Sequence, residues 1–171
     1  RQVEDGLGRV DVLVNNAGVM LLGPFTSEQH EEQRQMVETN LLGAIQATEV
    51  FLDSLREHGG DLVNISSVAG RTARPGNAVY AATKWAMGGW SESLRQELQP
   101  DVRVIVIEPG AVATELTHHI TDAATKTAVE KMYTSESIAA GDIAEVVAFA
   151  LSRPRGVSLN EILVRPSGQA L

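Results

Sequence analysis

Residues 61–70, DLVNISSVAG, decide the fold of this chain. An apolar run from Asp61 to Ile65 follows the pair Gly59-Gly60 and leads into a turn of small residues that begins with Ser66 and Ser67. Glycine after a helical pattern, a β-branched run and then small polar residues indicate a helix that ends, a strand and a turn. The stretch therefore predicts a strand whose carboxyl end carries two serines.

Strands and helices alternate on both sides of this stretch. Upstream, residues 10–14 form a short β-branched run, and apolar spacings of three and four predict a helix over about residues 26–57, with Thr26 and Gln29 as its capping box. Downstream, we predict a helix at 78–98, a strand at 102–107, a helix at 138–151 and a strand at 160–164. Residues 111–140 have weak periodicity, which predicts loops with short helical pieces.

The alternation predicts one α/β domain over residues 1–171, built on a parallel sheet with right-handed crossovers. The almost continuous apolar run at 102–107 is typical of a parallel strand that is covered on both faces. A chain of 171 residues with 43% hydrophobic content is long enough to bury one core of this kind.

Composition excludes several classes of function. A net charge of -8 and a pI near 5.0 provide no basic stripe for nucleic acid. The absence of cysteine excludes disulfides and thiolate metal sites and fits a reducing cytoplasm, and we expect no metal. No segment approaches the roughly 20 apolar residues of a membrane span. We expect a cytoplasmic protein that binds neither nucleic acid nor membranes.

Tyr80 and Lys84 are four residues apart on the predicted helix at 78–98, so their side chains project from one face. A phenol has an ordinary pKa of about 10, and a nearby ammonium favours phenolate and lowers that pKa toward the range useful for proton transfer. An ordinary pair on a helix surface is the alternative for an isolated Tyr-x-x-x-Lys.

Three other polar features suggest a site, and each has a structural alternative. Ser67 lies in a turn at the carboxyl end of a strand, where it can hold a carbonyl oxygen or merely bond its own turn, and Ser66 is chemically equivalent. Asn40 lies on the apolar stripe of its helix and needs a partner, either for a catalytic role or to settle a helix bend. The Asn-Asn-Ala-Gly run at 15–18 is either functional or a strand-ending turn.

Taken together, these motifs resemble the short-chain dehydrogenases/reductases in order and spacing over nearly the whole chain. The resemblance implies a Rossmann-like, doubly wound parallel sheet, of which about four strands are present, and a nicotinamide-dependent oxidoreductase acting on a carbonyl or alcohol. The motifs that carry it are Asn15-Asn16-Ala17-Gly18, Asn40 in ETNLLG, Asn64-Ile65-Ser66-Ser67, Tyr80-x-x-x-Lys84, and Pro109-Gly110 with Thr114.

The resemblance also implies a role for each matching residue. Tyr80 exchanges the proton of the substrate oxygen, and Lys84 binds the nicotinamide ribose and lowers the pKa of that tyrosine. Ser67, rather than Ser66, orients the substrate, and Asn40 anchors a water in a proton relay. The remaining cofactor contacts that it implies are Asn15, Ala17 and Gly18 on the adenosine side and Pro109, Gly110 and Thr114 near the carboxamide.

The tail at 160–166 is similar to the NADP-dependent branch that includes 3-hydroxy-acid dehydrogenases and clavulanate-type aldehyde reductases. We therefore expect NADP as cofactor, with NAD as the alternative, and a small carbonyl or alcohol substrate. Members of the family commonly pair through the helix matching 78–98, so we expect a homo-oligomer, a dimer or tetramer. The small residues and anchors expected there are Ala81, Ala82, Ala86, Gly88, Gly89, Trp85 and Trp90.

The chain departs from the family at its start. The family opens with a strand, a glycine-rich turn and a helix that hold the cofactor pyrophosphate, and Gly6-Leu7-Gly8 lies before the wrong strand to supply that turn. We expect this polypeptide alone to bind NADP(H) negligibly and to self-associate through an open edge at 10–14. The alternatives are a non-catalytic remnant that serves as an oligomerisation module and a nucleotide-sugar epimerase, for which too little chain follows Lys84.

Overall fold

A computed structural model describes residues 2–169 of the chain. The strands are β1 Val12–Asn15, β2 Asp61–Ile65, β3 Arg103–Pro109, β4 Val112–Ala113, β5 Ile138–Ala139 and β6 Glu161–Val164. The helices are α1 Gln2–Leu7, α2 His30–Val37, α3 Gly43–His58, α4 Ala78–Leu98, α5 Ala123–Glu136 and α6 Ala140–Leu151. The predicted helices at 78–98 and 138–151 and the four predicted strands are confirmed, with ends that differ by one or two residues.

The main sheet is parallel and has the order β1-β2-β3-β6. Its register places Val63 of β2 beside Val14 and Ile105, and Ile107 of β3 beside Ile162. The carboxyl ends of β1, β2 and β3 therefore lie along one edge, where parallel sheets build their sites. Within residues 2–169, β1 has β2 as its only neighbouring strand, so the expected open edge is present.

Helices cover both faces of the sheet, which confirms the doubly wound architecture. On one face Leu62 and Val104 pack against Leu55 of α3 and Leu98 of α4. On the other face Val63, Ile105 and Ile107 pack against Ala150 of α6. Adjacent residues of a strand point to opposite faces, so β3, whose seven residues are all buried, supplies both cores.

The predicted helix at 26–57 is one helical segment with an interruption in its middle. A short 3-10 turn over Ser27–Gln29 leads into α2, and a π-helical turn, Glu38–Leu42, separates α2 from α3. The predicted capping box is wrong, because Thr26 makes no side-chain capping bond and the Gln29 side chain lies against Gly23. The π turn inserts one extra residue at the buried Asn40.

Residues 111–140 contain more regular structure than their sequence predicts. The 14-residue helix α5 forms there instead of short helical pieces. The strands β4 and β5 pair in parallel and bring the two ends of residues 111–140 together. Asp122 caps α5, because its Oδ1 accepts a hydrogen bond of 2.8 Å from the Thr125 amide. The helix packs on the core mainly through Val129 and Tyr133, which is too short an apolar face to give clear periodicity.

Candidate active site

Two cavities meet at the carboxyl edge of the sheet. The larger one, of about 690 Å³, lies between the ends of β1, β2 and β3 and the start of α6. The smaller one, of about 400 Å³, lies between the start of α4 and α5. Four residues line both cavities: Ser67, Tyr80, Gly110 and Tyr133. Any reaction between molecules held in the two cavities therefore takes place beside Ser67 and Tyr80.

Tyr80 lies in the first turn of α4 with only 6% of its surface exposed, and it is hydrogen-bonded to the Ser67 side chain. Burial raises the pKa of Tyr80 above its ordinary value, because an apolar site disfavours the charged phenolate. The Ser67 hydrogen bond acts in the opposite direction and lowers that pKa, while Tyr133 raises it. Burial dominates, so the net direction is opposite to the lowering expected from Lys84.

The structure separates the two serines that the sequence leaves equivalent. Ser66 is buried and donates its hydroxyl to the Lys84 carbonyl over 3.1 Å, so it ties the turn to the α4 backbone. Ser67 instead bonds Tyr80, and its Oγ accepts from the Ala69 amide over 3.1 Å. Ser67 is therefore the serine that reaches the junction of the cavities.

Lys84 follows Tyr80 by one helical turn and is also 6% exposed, so the pair is not an ordinary surface pair. Its Nζ donates to the Ile65 carbonyl over 2.9 Å and lies 5.8 Å from the centre of the Tyr80 ring. Burial lowers the pKa of Lys84 to about 8. The ammonium is thus held between the end of β2 and the phenol, in the lining of the larger cavity.

Gly70 allows this close arrangement. A Cβ atom at Gly70 would lie 3.0 Å from both the Lys84 carbonyl oxygen and the Ser66 Oγ, which is closer than such atoms normally approach. Glycine therefore lets the 66–70 turn pack directly on α4, next to Tyr80 and Lys84.

Asn40 has the buried partners that its position requires. Its Oδ1 accepts from the Val19 amide over 2.8 Å, and its Nδ2 donates to the Val19 carbonyl over 2.9 Å and to Thr83 Oγ1 over 3.3 Å. The side chain therefore fastens the segment after β1 to α4. Asn40 is not among the described residues that line either cavity. Its role in anchoring a water of a proton relay stays a prediction.

In the Asn-Asn-Ala-Gly turn, some residues hold the strands together and others line the larger cavity. Asn15 donates to Asn64 Oδ1 over 2.8 Å and to Thr48 Oγ1 over 3.0 Å, which joins β1 to β2 and α3 under the sheet edge. Gly18, which we expect on the adenosine side of the cofactor, lines the larger cavity, and so does Asn16, which the sequence reasoning missed. Ala17 is exposed and is outside the lining of the larger cavity, as is Asn15.

The turn after β3 forms the opposite wall of the larger cavity. Pro109, Gly110 and Thr114, which we expect near the carboxamide of the cofactor, all line it. Thr114 also caps the following 3-10 turn, because its Oγ1 accepts from the Leu116 amide over 3.3 Å. Apolar side chains from α6, including Ile143 and Val147, complete the wall. Their helical spacing in the sequence indicates only a buried face, so nothing local marks them as site residues.

The part of the chain that the structure describes contains no cluster of three or more His, Cys, Asp or Glu side chains suited to a metal ion. Its helices also include none with the length and apolar character needed to cross a membrane.

Comparison with known proteins gives consistent matches. A family model described as short chain dehydrogenase matches residues 1–135. An uncharacterised oxidoreductase of Staphylococcus saprophyticus is 38% identical over 168 residues, which are 96% of this chain and 68% of the relative. An alcohol dehydrogenase from the archaeon Thermococcus sibiricus, complexed with 5-hydroxy-NADP, is 30% identical with a TM-score of 0.86, covering 99% of this chain and 68% of its own. A closed form of serine dehydrogenase complexed with NADP+ is 31% identical with a TM-score of 0.88, and the match covers 97% of this chain and 68% of that one.

Proposed function

The chain belongs to the short chain dehydrogenase family of oxidoreductases, and on that premise we propose that it transfers hydride between a nicotinamide cofactor and a carbonyl compound or secondary alcohol. The observation that supports this most is the position of Tyr80. Its buried phenol is hydrogen-bonded to Ser67 where the two cavities meet, and Lys84 lies one helical turn away.

The cofactor that we propose is NADP(H), with NAD(H) as the alternative, because two similar solved structures carry NADP-type molecules. The larger cavity suits the nicotinamide end, since apolar Ile65, Val112 and Ile143 offer walls for a flat ring while Lys84 and Thr114 offer polar groups. The bound nicotinamide supplies or accepts the hydride.

In the proposed reduction, Tyr80 donates its phenolic proton to the substrate oxygen, and Ser67 orients that oxygen. The raised pKa of Tyr80 keeps the phenol protonated at neutral pH, which suits a proton donor. The Lys84 ammonium then stabilises the phenolate that remains. Oxidation runs in reverse, with the Tyr80 phenolate as base.

Asn40 enters this proposal only through its backbone. Its amide is committed to Val19 and Thr83, so the relay water that we assign to it would bind the main chain of the π turn. An extra residue in a helix leaves a backbone carbonyl outside the regular pattern, and such turns are frequent at functional sites.

The first test is Tyr80→Phe, which removes one hydroxyl and keeps the ring. It is made in the chain extended by the family's amino-terminal strand, glycine-rich turn and helix, because we expect the polypeptide alone to bind NADP(H) negligibly. We expect kcat for NADPH-dependent ketone reduction to fall by about 10² to 10⁴, the usual contribution of a general acid, while cofactor affinity and the circular dichroism spectrum stay the same. A folded variant that retained most of kcat would contradict the assignment.

We propose that the smaller cavity receives the substrate and selects for an acid. Its lining is largely apolar and includes Met20, Leu22 and Val129. Among the described residues that line it, Arg74 alone is charged. None of the ion pairs between described side chains involves Arg74, whose backbone amide donates to Asn77 Oδ1. An apolar slot beside one cation favours an oxo acid or hydroxy acid, in agreement with the resemblance to 3-hydroxy-acid dehydrogenases.

The second candidate function is a non-catalytic oligomerisation module, and the surface of α4 favours an interface in either case. Ala82, Trp85 and Gly89 are exposed along one face, with Trp85 at 54%, whereas Ala81 is buried at 2% and so lies outside the predicted interface. We propose a homo-oligomer that pairs through this face. Oligomers that bound neither NADPH nor NADH would support the non-catalytic function instead.

A further inference from the structure

An ion pair between Arg71 and Glu108 joins the two turns that border the cavity junction, the serine turn at 66–70 and the turn after β3. Arg71 donates from Nε to Glu108 Oε1 over 2.7 Å and from Nη2 to Glu108 Oε2 over 2.8 Å, and Nη2 also contacts the Glu161 carboxylate. Arg71 follows Ser67 by four residues, and Glu108 immediately precedes Pro109. The pair therefore links the serine turn to the turn that carries Gly110.

The carboxylate of this pair is buried, which makes the link hard to open. Only 3% of the Glu108 surface is exposed. Separating Arg71, whose own side chain is 45% exposed, would leave the buried Glu108 carboxylate without this counter-charge, which costs more than breaking a pair that is exposed on both sides. The bidentate geometry also fixes the direction of the guanidinium as well as its distance.

The segment between Ser67 and Arg71 is rigid, so a constraint at one end reaches the other. The Gly70 amide donates to the Ser67 carbonyl over 2.9 Å, and the Arg71 amide donates to the Val68 carbonyl over 2.9 Å. The Ser67 side chain caps the same turn through the Ala69 amide. A movement of Arg71 therefore turns the Ser67 hydroxyl relative to Tyr80.

We propose that the Arg71–Glu108 pair is a positioning device for the reaction. By anchoring the serine turn to the turn that follows Glu108, it holds the Ser67 hydroxyl against Tyr80. The inference rests on the proposed function, because it assigns the pair a role in catalysis through Ser67.

A merely structural pair would affect stability alone, so the test compares turnover with stability. Arg71→Met and Glu108→Gln should each lower kcat by about tenfold to a hundredfold, the effect of a displacement near 1 Å, with KM for NADPH and ketone within about twofold. Arg71→Lys should lose less, because it keeps the charge but not the fork. The matched control is Arg95→Met, which breaks a bidentate pair with Glu92 within α4, away from the cavities.

Action through Ser67 gives a second, sharper expectation. In a Ser67→Ala background, Arg71→Met should lower kcat by less than about twofold further, because residues that act as a unit are not additive. A further tenfold loss there would overturn the role of Ser67 as the link. This comparison remains valid for any variant that folds, because both proteins in it lack the Ser67 hydroxyl.

A readout without turnover separates this inference from the proposed function. The chain has two tyrosines, so Tyr133→Phe assigns the carbon-13 resonance of the Tyr80 ring carbon that bears the hydroxyl. That resonance should move in Arg71→Met and Glu108→Gln and stay in place in Arg95→Met. If the wild-type chain, extended by the family's amino-terminal strand, glycine-rich turn and helix, reduces no ketone, the proposed function fails. If the protein is active but kcat and the resonance are unchanged in Arg71→Met, the positioning role is overturned.

Discussion

Replacement of Lys84 by methionine should stabilise this protein at neutral pH while it removes activity. The side chain is 6% exposed, and burial lowers its pKa from the ordinary 10.5 to about 8. Each pKa unit is worth about 1.36 kcal/mol. Burying the ammonium therefore costs about 3 kcal/mol, and Lys84→Met removes that cost and keeps the length of the side chain.

The hydrogen bond to the Ile65 carbonyl is lost in exchange. That bond, over 2.9 Å, joins a charged donor to a backbone oxygen and contributes about 1.5 kcal/mol. At pH 7 the variant should therefore be about 1 to 2 kcal/mol more stable than wild type. Turnover should be lost, because no cation remains beside the Tyr80 phenol.

The pH dependence distinguishes this cause from others. The folded pKa of Lys84 lies below the unfolded one, so between about pH 8 and pH 10.5 the unfolded chain binds more protons and wild-type stability rises with pH. Below about pH 8 the full cost is present. The advantage of Lys84→Met should therefore be constant below pH 8 and should disappear as the pH approaches 10.

Urea unfolding at pH 7, 8, 9 and 10 measures this difference. Lys126→Met is the matched control, because Lys126 donates to the His118 carbonyl from α5, outside the cleft. Its difference from wild type should not change between pH 8 and pH 10 in this way. A Lys84→Met protein less stable than wild type at pH 7, or an advantage that persisted at pH 10, would refute the reasoning.

Three further outcomes follow from particular contacts. Asp61→Asn should lower the free energy of unfolding by about 3 kcal/mol in a urea titration. It leaves Arg103, which is 6% exposed and donates from Nε to Asp61 Oδ1 over 2.6 Å, without its counter-charge. The control Glu92→Gln breaks an exposed pair and should lower the free energy of unfolding much less. Trp85→Ser should shift the protein toward smaller species in light scattering, and an unchanged mass would exclude the α4 face. Arg74→Met should raise KM at least tenfold for a 3-oxo acid but not for its methyl ester. An equal rise in KM for the acid and for the ester would show that Arg74 does not bind the carboxylate.

Local patterns predicted most of the architecture. The β-branched runs ending in small polar residues identified all four strands of the main sheet, because a buried parallel strand needs apolar residues on both faces. The π turn at Glu38–Leu42 escaped notice, since one extra residue in a helix changes the periodicity too little to detect. The helix α5 was missed for a different reason: its apolar face is short, with Val129 and Tyr133 as its main contacts with the core.

The site was predicted only in part, because sequence motifs mark residues and not their distances. Tyr80, Lys84 and Ser67 lie together as expected, whereas the dominance of burial over Lys84 in the pKa of Tyr80 depends on three-dimensional packing. Tyr133 comes from α5 and Arg71 meets Glu108 across 37 positions of sequence. No local spacing brings such residues together, so only the fold can reveal them.

Buried polar groups around α4 explain how the fold holds a proton donor in place. Asn64 of β2 accepts from Asn15 and donates to Ser91 of α4 over 2.9 Å, while Asn40 fastens Val19 to the same helix. Apolar side chains in these positions would tolerate small shifts of α4, but a buried amide that loses its partner costs about 1 to 3 kcal/mol. Hydrogen bonds at two points along α4 therefore fix the helix against the sheet. The position of Tyr80 at the cavity junction depends on this rigidity, because proton transfer requires a donor that does not move away.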